Sequence, residues 1–189
     1  VISPTGDWTN VSMPLAWASI NPSFPVVGET VATFTTGYTL SGGGVVTVRS
    51  SIYSANTLPA FTLSPQRPLI APPSNLTVEG ASAYAALSLT TSTPIIAWSA
   101  SGGAVAYYVA VLRLFTDATN QPASESAAVL LTDQTQLTLP SGVLLSGNLY
   151  AVRVRAITEL TGDPVNAPFR KGSYPFGFAE TISAALTAP

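Results

Sequence analysis

Tyr150, Val152, Val154 and Ala156 alternate with Ala151, Arg153, Arg155 and Ile157. A period of two is the mark of a β-strand, because successive side chains point to opposite faces. Arginines on one of those faces describe a strand that is half buried and half in solvent. The run before it, LTLPSGVLLSGNL from Leu137, begins as a short strand and turns through Pro140, Gly142 and Gly147. Two strands joined by a turn are therefore expected between residues 137 and 157, and the rest of the chain has to be compatible with them.

It is. No apolar repeat of 3.6 residues survives over ten positions in the first seventy residues, so no helix is expected there. Short strands are expected instead: Val11 to Trp17, Glu29 to Leu40, Val45 to Tyr53 and Leu58 to Leu63, with Gly42-Gly43-Gly44 as a turn. Pro65, Pro68, Pro72 and Pro73 then punctuate the chain. Proline withholds a donor and fixes the backbone, so this stretch reads as a stiff linker or domain boundary. Beyond it, strands are expected at Leu76 to Val78, Ala86 to Leu89, Pro94 to Trp98, Ala106 to Phe115, Ala127 to Leu131 and Ala179 to Thr187, with Asp117 to Ser126 as a polar loop. The reading is an all-β protein in two parts, a smaller β-rich domain over 1–70 and a β-sandwich over 71–189, about seven strands being the number an immunoglobulin-like sandwich needs.

The second part resembles a fibronectin type III domain. Its opening is PPSNLTVEG from Pro72, its second strand TPIIAWSA with Trp98, its third AYYVAVLRL with Tyr107 and Tyr108. Its signature is LLSGNLYAVRVRA, with Leu144, Gly147, Tyr150, Val152, Val154 and Ala156, and its last strand is ETISAALTA. Ser146 stands where that family often has Pro, and the segment from Gly162 to Ala179 is longer than its usual last loop. The resemblance implies that Trp98 fills the space between two sheets. It also implies that Tyr150 buries its ring and hydrogen-bonds its hydroxyl to backbone, as the tyrosine corner of such sandwiches. The whole arrangement is also similar to exported bacterial surface lipoproteins.

Composition narrows function mainly by exclusion. The chain has no His and no Cys. A serine hydrolase built on His is excluded, as are thiolate nucleophiles, disulfides and most zinc sites. Charged residues are 8% and the net charge is −2, so nothing steers a polyanion and nucleic acid is not an expected partner. No stretch approaches the ~18 apolar residues of a membrane span. Few charges and a surface rich in Ser and Thr fit an extracellular or cell-surface protein. Glu29, Glu79, Glu125, Glu159 and Glu180 are the carboxylates a glycosidase could use, but nothing singles out a pair. Asp117, Asn120 and Asp133 read as turn formers rather than calcium ligands.

The best contact candidate is APFRKGSYPFGF from Ala167, read as a loop. Phe169, Tyr174, Phe176 and Phe178 crowd together there with Arg170 and Lys171. Aromatics with arginine dominate binding hot spots. The alternative is that these rings fold onto the first domain and form the contact between the two parts. Trp8, Trp17 and Trp98 could instead offer a sugar-stacking platform, the core being the better reading for Trp98. The expected function is a non-catalytic binding or adhesion module without a cofactor, its partner a protein or extracellular polymer. A self-associating subunit of a fibre or coat comes second, and a carbohydrate-binding module third.

Overall fold

The computed structural model describes residues 27–57, 67–158 and 175–189. Among the described residues there is no helix. The strands are β1 (Val27–Thr39), β2 (Val45–Thr57), β3 (Ser74–Val78), β4 (Ala81–Ser82), β5 (Leu87–Ser88), β6 (Ile95–Ser99), β7 (Ala106–Thr116), β8 (Pro122–Thr132), β9 (Gln136–Thr138), β10 (Leu149–Ile157), β11 (Phe176–Ile182) and β12 (Leu186–Thr187). The expected strands at Val11 to Trp17 and Leu58 to Leu63 lie outside the described residues.

Two sheets form, of eight and four strands. The smaller runs β4-β3-β6-β9. In the larger, β10 is central. It pairs with β7 along its whole length on one side. On the other it meets β11 from Arg153 to Ile157 and β12 at Leu149 and Tyr150. Ser183 separates β11 from β12: its N–H donates to the Val152 carbonyl at 2.8 Å, and its Oγ accepts from the Val152 N–H at 2.9 Å. The ladder thus survives a break in the last strand, which the sequence presents as one continuous run.

The sheets face each other across one core, so the protein is a β-sandwich. Leu76, Val78, Ile96 and Trp98 come from the smaller sheet, and Tyr107, Val109, Val111, Tyr150, Val152 and Val154 from the larger. Alternation places them, since every second residue of β10 points inward. Tyr150 is 0% exposed, and its hydroxyl accepts the Leu145 N–H at 2.8 Å across the turn that precedes its strand. Gly142 (φ 83°) and Gly147 (φ 72°) bend that turn through backbone conformations a side chain resists. Trp98 lies edge-on to Tyr107 with centroids 5.2 Å apart.

The hairpin β1–β2 is joined to the larger sheet. β2 pairs with β11 only from Ile52↔Ala179 to Ala55↔Phe176. The paired stretch leaves little room: a Cβ on Gly177 would meet the Tyr53 carbonyl at 3.0 Å and Leu69 Cβ at 3.1 Å. Before Ile52, the hairpin leaves the ladder and lies on the outer face of the sheet. Tyr38, Leu40, Val46 and Val48 pack there on Ala110, Leu112, Leu114, Ala151 and Ile182. Its tip reaches β8, where a Cβ on Gly44 would collide with Pro122.

This corrects two expectations and adds one observation. The arginine face of β10 is not a solvent face, since Ala151 and Ile157 on it are buried. The polar segment before Ala127 is already strand from Pro122, because it pairs along β7 with a bulge opposite Val111 and Leu112. The described part of the proline-rich stretch packs against the fold: Ile70 and Pro73 are buried, and the Leu69 N–H donates to Ser54 Oγ at 3.2 Å.

The covered face contains a titratable group. The Tyr38 hydroxyl donates to the Ser183 carbonyl at 2.7 Å. Burial pushes its pKa up from 10.0 to about 12, against a lowering influence from Arg153. The folded chain therefore keeps a proton that the unfolded chain gives up first. The stability this confers is complete below the unfolded value and is lost as pH rises toward the folded one. Urea denaturation from neutral pH to pH 12 is expected to show a loss on the order of 2 kcal/mol above pH 10 that is absent in Tyr38→Phe.

Candidate functional site

The outer face of the larger sheet has a second half that the hairpin does not cover. β11 presents Phe176, Phe178 and Glu180 there, β10 presents Arg155, and β2 presents Tyr53. Register brings them together: Phe178 is opposite Tyr53, and Arg155 is opposite Glu180. Partners across an antiparallel ladder point the same way, so these side chains share one surface.

The rings form a cluster. Tyr53 stacks on Phe178 with centroids 5.2 Å apart and planes 12° apart. Phe176 tilts against Tyr53 at 5.9 Å and against Phe178 at 6.4 Å. The Arg155 guanidinium carbon lies 4.0 Å from the Phe178 ring centre, a cation–π contact. All three rings remain partly exposed.

Glu180 anchors the arginines. It is 1% exposed. Its Oε1 accepts from Arg155 Nε at 2.8 Å and lies 2.6 Å from Arg155 Nη2, with Arg153 Nε at 3.5 Å. Its Oε2 accepts the Ser51 N–H at 2.7 Å. That N–H sits where β2 leaves the ladder, so the carboxylate replaces a backbone carbonyl there. A buried donor left without an acceptor would cost about 1–3 kcal/mol. Arg153 Nη1 also donates to the Arg49 carbonyl at 2.9 Å. Two of the seven basic residues, Arg153 and Arg155, thus gather around one carboxylate on a chain with few charges.

Of the residues singled out in the sequence, Phe176 and Phe178 are here, on a strand and not in a loop. Phe169, Arg170, Lys171 and Tyr174 lie outside the described residues. The two placed rings pack on Tyr53 of the N-terminal hairpin and still meet solvent. Tyr53, Arg155 and Glu180 were not singled out as contact residues. The available signal was charge on strands that are otherwise apolar, since Glu180 and the Arg153, Arg155 pair are the charges of β11 and β10.

Glu79, Glu125 and Asp117 have local partners. Glu79 accepts the N–H groups of Thr90 and Thr91 and the Thr90 hydroxyl. Desolvation raises its pKa, but these hydrogen bonds outweigh it and hold the carboxyl below the usual range. Glu125 pairs with Arg113 at 2.7 Å. Asp117 caps its own turn, accepting from the N–H groups of Gln121 and Thr119 and the Thr119 hydroxyl. The hydrogen bond from Gln121, with those from Thr119, lowers its pKa. Glu159 lies outside the described residues. Trp98 is core, and Trp8 and Trp17 are outside the described residues.

Open depressions mark the described surface. One, of about 390 Å³, is lined by Leu69, Gly103, Val105, Thr158 and Pro175. Another, of about 560 Å³, lies on the outer face of the smaller sheet among Thr77, Thr91, Thr93, Ile95 and Gln136, and its one titratable group is Glu79. Among the described residues no three acidic side chains come together, and no helix is long and apolar enough to cross a membrane. No family model matches the chain, and no curated protein matches it.

Proposed function

We propose that the chain is a non-catalytic binding or adhesion module of an extracellular or cell-surface protein, and that its contact surface is the Tyr53, Phe176, Phe178 and Arg155 patch. One observation carries this. Three aromatic rings and a guanidinium, fixed by stacking and by Glu180, stand half exposed on a rigid sheet. Such groups lose little side-chain entropy on binding and supply most of the energy at protein contacts. The partner this composition suits is a protein or an extracellular polymer with apolar and acidic groups.

The scaffold belongs to the same proposal, as a fibronectin type III-like sandwich over residues 72–189. The order β3-β6-β9 facing β8-β7-β10-β11 supports it, and so does the Tyr150 hydroxyl bonded to the Leu145 N–H.

Immobilised protein screened against purified matrix proteins and polysaccharides tests the reading. Binding is expected to fall at least tenfold in Tyr53→Ala/Phe178→Ala, while Trp98 fluorescence still reports a folded core. A bound partner that ignores the double variant would move the site elsewhere, and turnover of any panel member would make the protein an enzyme. Self-association is a second reading, favoured by the single charge on β1, Glu29.

A further inference from the structure

Among the described residues the larger sheet ends in β1, β8 and the two-residue β5, and its two long ends, β1 and β8, differ in how they discourage pairing. Sheet edges offer unpaired N–H and C=O groups, and proteins blunt them with charge, proline and bulges. β8 has all three: Pro122 at its start, Glu125 paired with Arg113, and the bulge opposite Val111 and Leu112. β1 has none of these past Glu29. It runs thirteen residues without Pro or bulge, in unbroken register with β2. Every residue from Glu29 to Thr35 is exposed, including Val31 at 55% and Phe34 at 40%. The edge strands of the smaller sheet, β4 and β9, are only two and three residues long.

We infer that β1 pairs with β1 of a second copy of this chain, antiparallel about a two-fold axis near Thr33, to give a closed dimer. That register sets Val31 opposite Thr35, Ala32 opposite Phe34 and Glu29 opposite Gly37. The two Glu29 carboxylates then sit about 27 Å apart along the strands and do not repel at close range. Phe34, apolar and exposed in one copy, gains a neighbour in Ala32 of the other. The contact is isologous and uses up both β1 edges, and β8 resists addition, so growth stops at two chains. This inference rests on the self-association reading and not on the aromatic patch.

Sedimentation equilibrium of the full chain tests it. The wild type is expected as a dimer. Thr33→Lys sets two like charges opposite each other at the axis and should give monomer, as should Thr33→Glu, each with an unchanged far-ultraviolet spectrum. Val129→Lys on β8 and Phe178→Ala in the patch should leave the dimer intact. If the patch fails as a binding surface while Thr33→Lys still gives monomer, only the binding reading falls. A wild-type monomer at high concentration overturns the inference. So does a dimer that survives both Thr33 variants, or an open-ended assembly dispersed by Val129→Lys.

Discussion

Arg155→Ala is expected to lower stability by about 3 kcal/mol, and more than Glu180→Gln does. Removing one partner of a buried ion pair costs roughly 3–5 kcal/mol, because it strands the other charge. Here the partners are unequally placed, with the Glu180 side chain 1% exposed and that of Arg155 34%. Without Arg155 the carboxylate stays in the sheet with Arg153 at 3.5 Å and the Ser51 N–H. Phe178 also loses the guanidinium above its ring. The low end of the range applies because the guanidinium reaches water, so its pairing is partly screened. Glu180→Gln keeps an oxygen for Ser51 and leaves arginines that can turn outward, so about 1–2 kcal/mol is expected. Urea denaturation of the two variants checks the order. Equal losses, or a larger loss in Glu180→Gln, would mean that the carboxylate is hydrated and the anchor is not as described.

Trp98→Ala is expected to cost about 4 kcal/mol, within the range for emptying a large aromatic site. Trp98 is 5% exposed and packs edge-on to Tyr107 from the facing sheet. Neither sheet can close over the gap without breaking the β6 ladder to β3 and β9. For a domain of this size that is a fall on the order of 10 °C in Tm. Trp98→Phe should be far milder, about 1 kcal/mol. Its ring fills much of the site, and the indole N–H it removes has no hydrogen-bond partner among the described residues, so little hydrogen bonding is lost with it. Thermal and urea unfolding measure both. A Phe variant as unstable as the Ala variant would show that the indole N–H is satisfied.

These two residues mark how far the sequence could be read. Trp98 sits among apolar residues at a period of two, and alternation alone puts it inside. Tyr150 follows from the same rule, and its hydroxyl bond was implied by the family resemblance. Glu180 differs. Its partners are 25 and 129 positions away, and only the register of three strands makes them neighbours. Phe176 and Phe178 were visible as an aromatic cluster, but a glycine- and proline-rich stretch gave no sign that they enter a strand. Tyr53 was hidden because its ring matters only after β2 lies beside β11.

The sequence by itself determined that the chain is all-β, where most of its strands run, and which rings enter the core. Those outcomes depend on which face each side chain takes, and alternation encodes that locally. Only the tertiary structure decided that the N-terminal hairpin crosses the outer face of the sheet, that it covers the Ala151 end of the arginine face of β10, and that β1 is an outer strand among the described residues. Any strand can hydrogen-bond to any other through the same backbone groups. The choice of neighbour is therefore made by packing between distant segments, which no local pattern records.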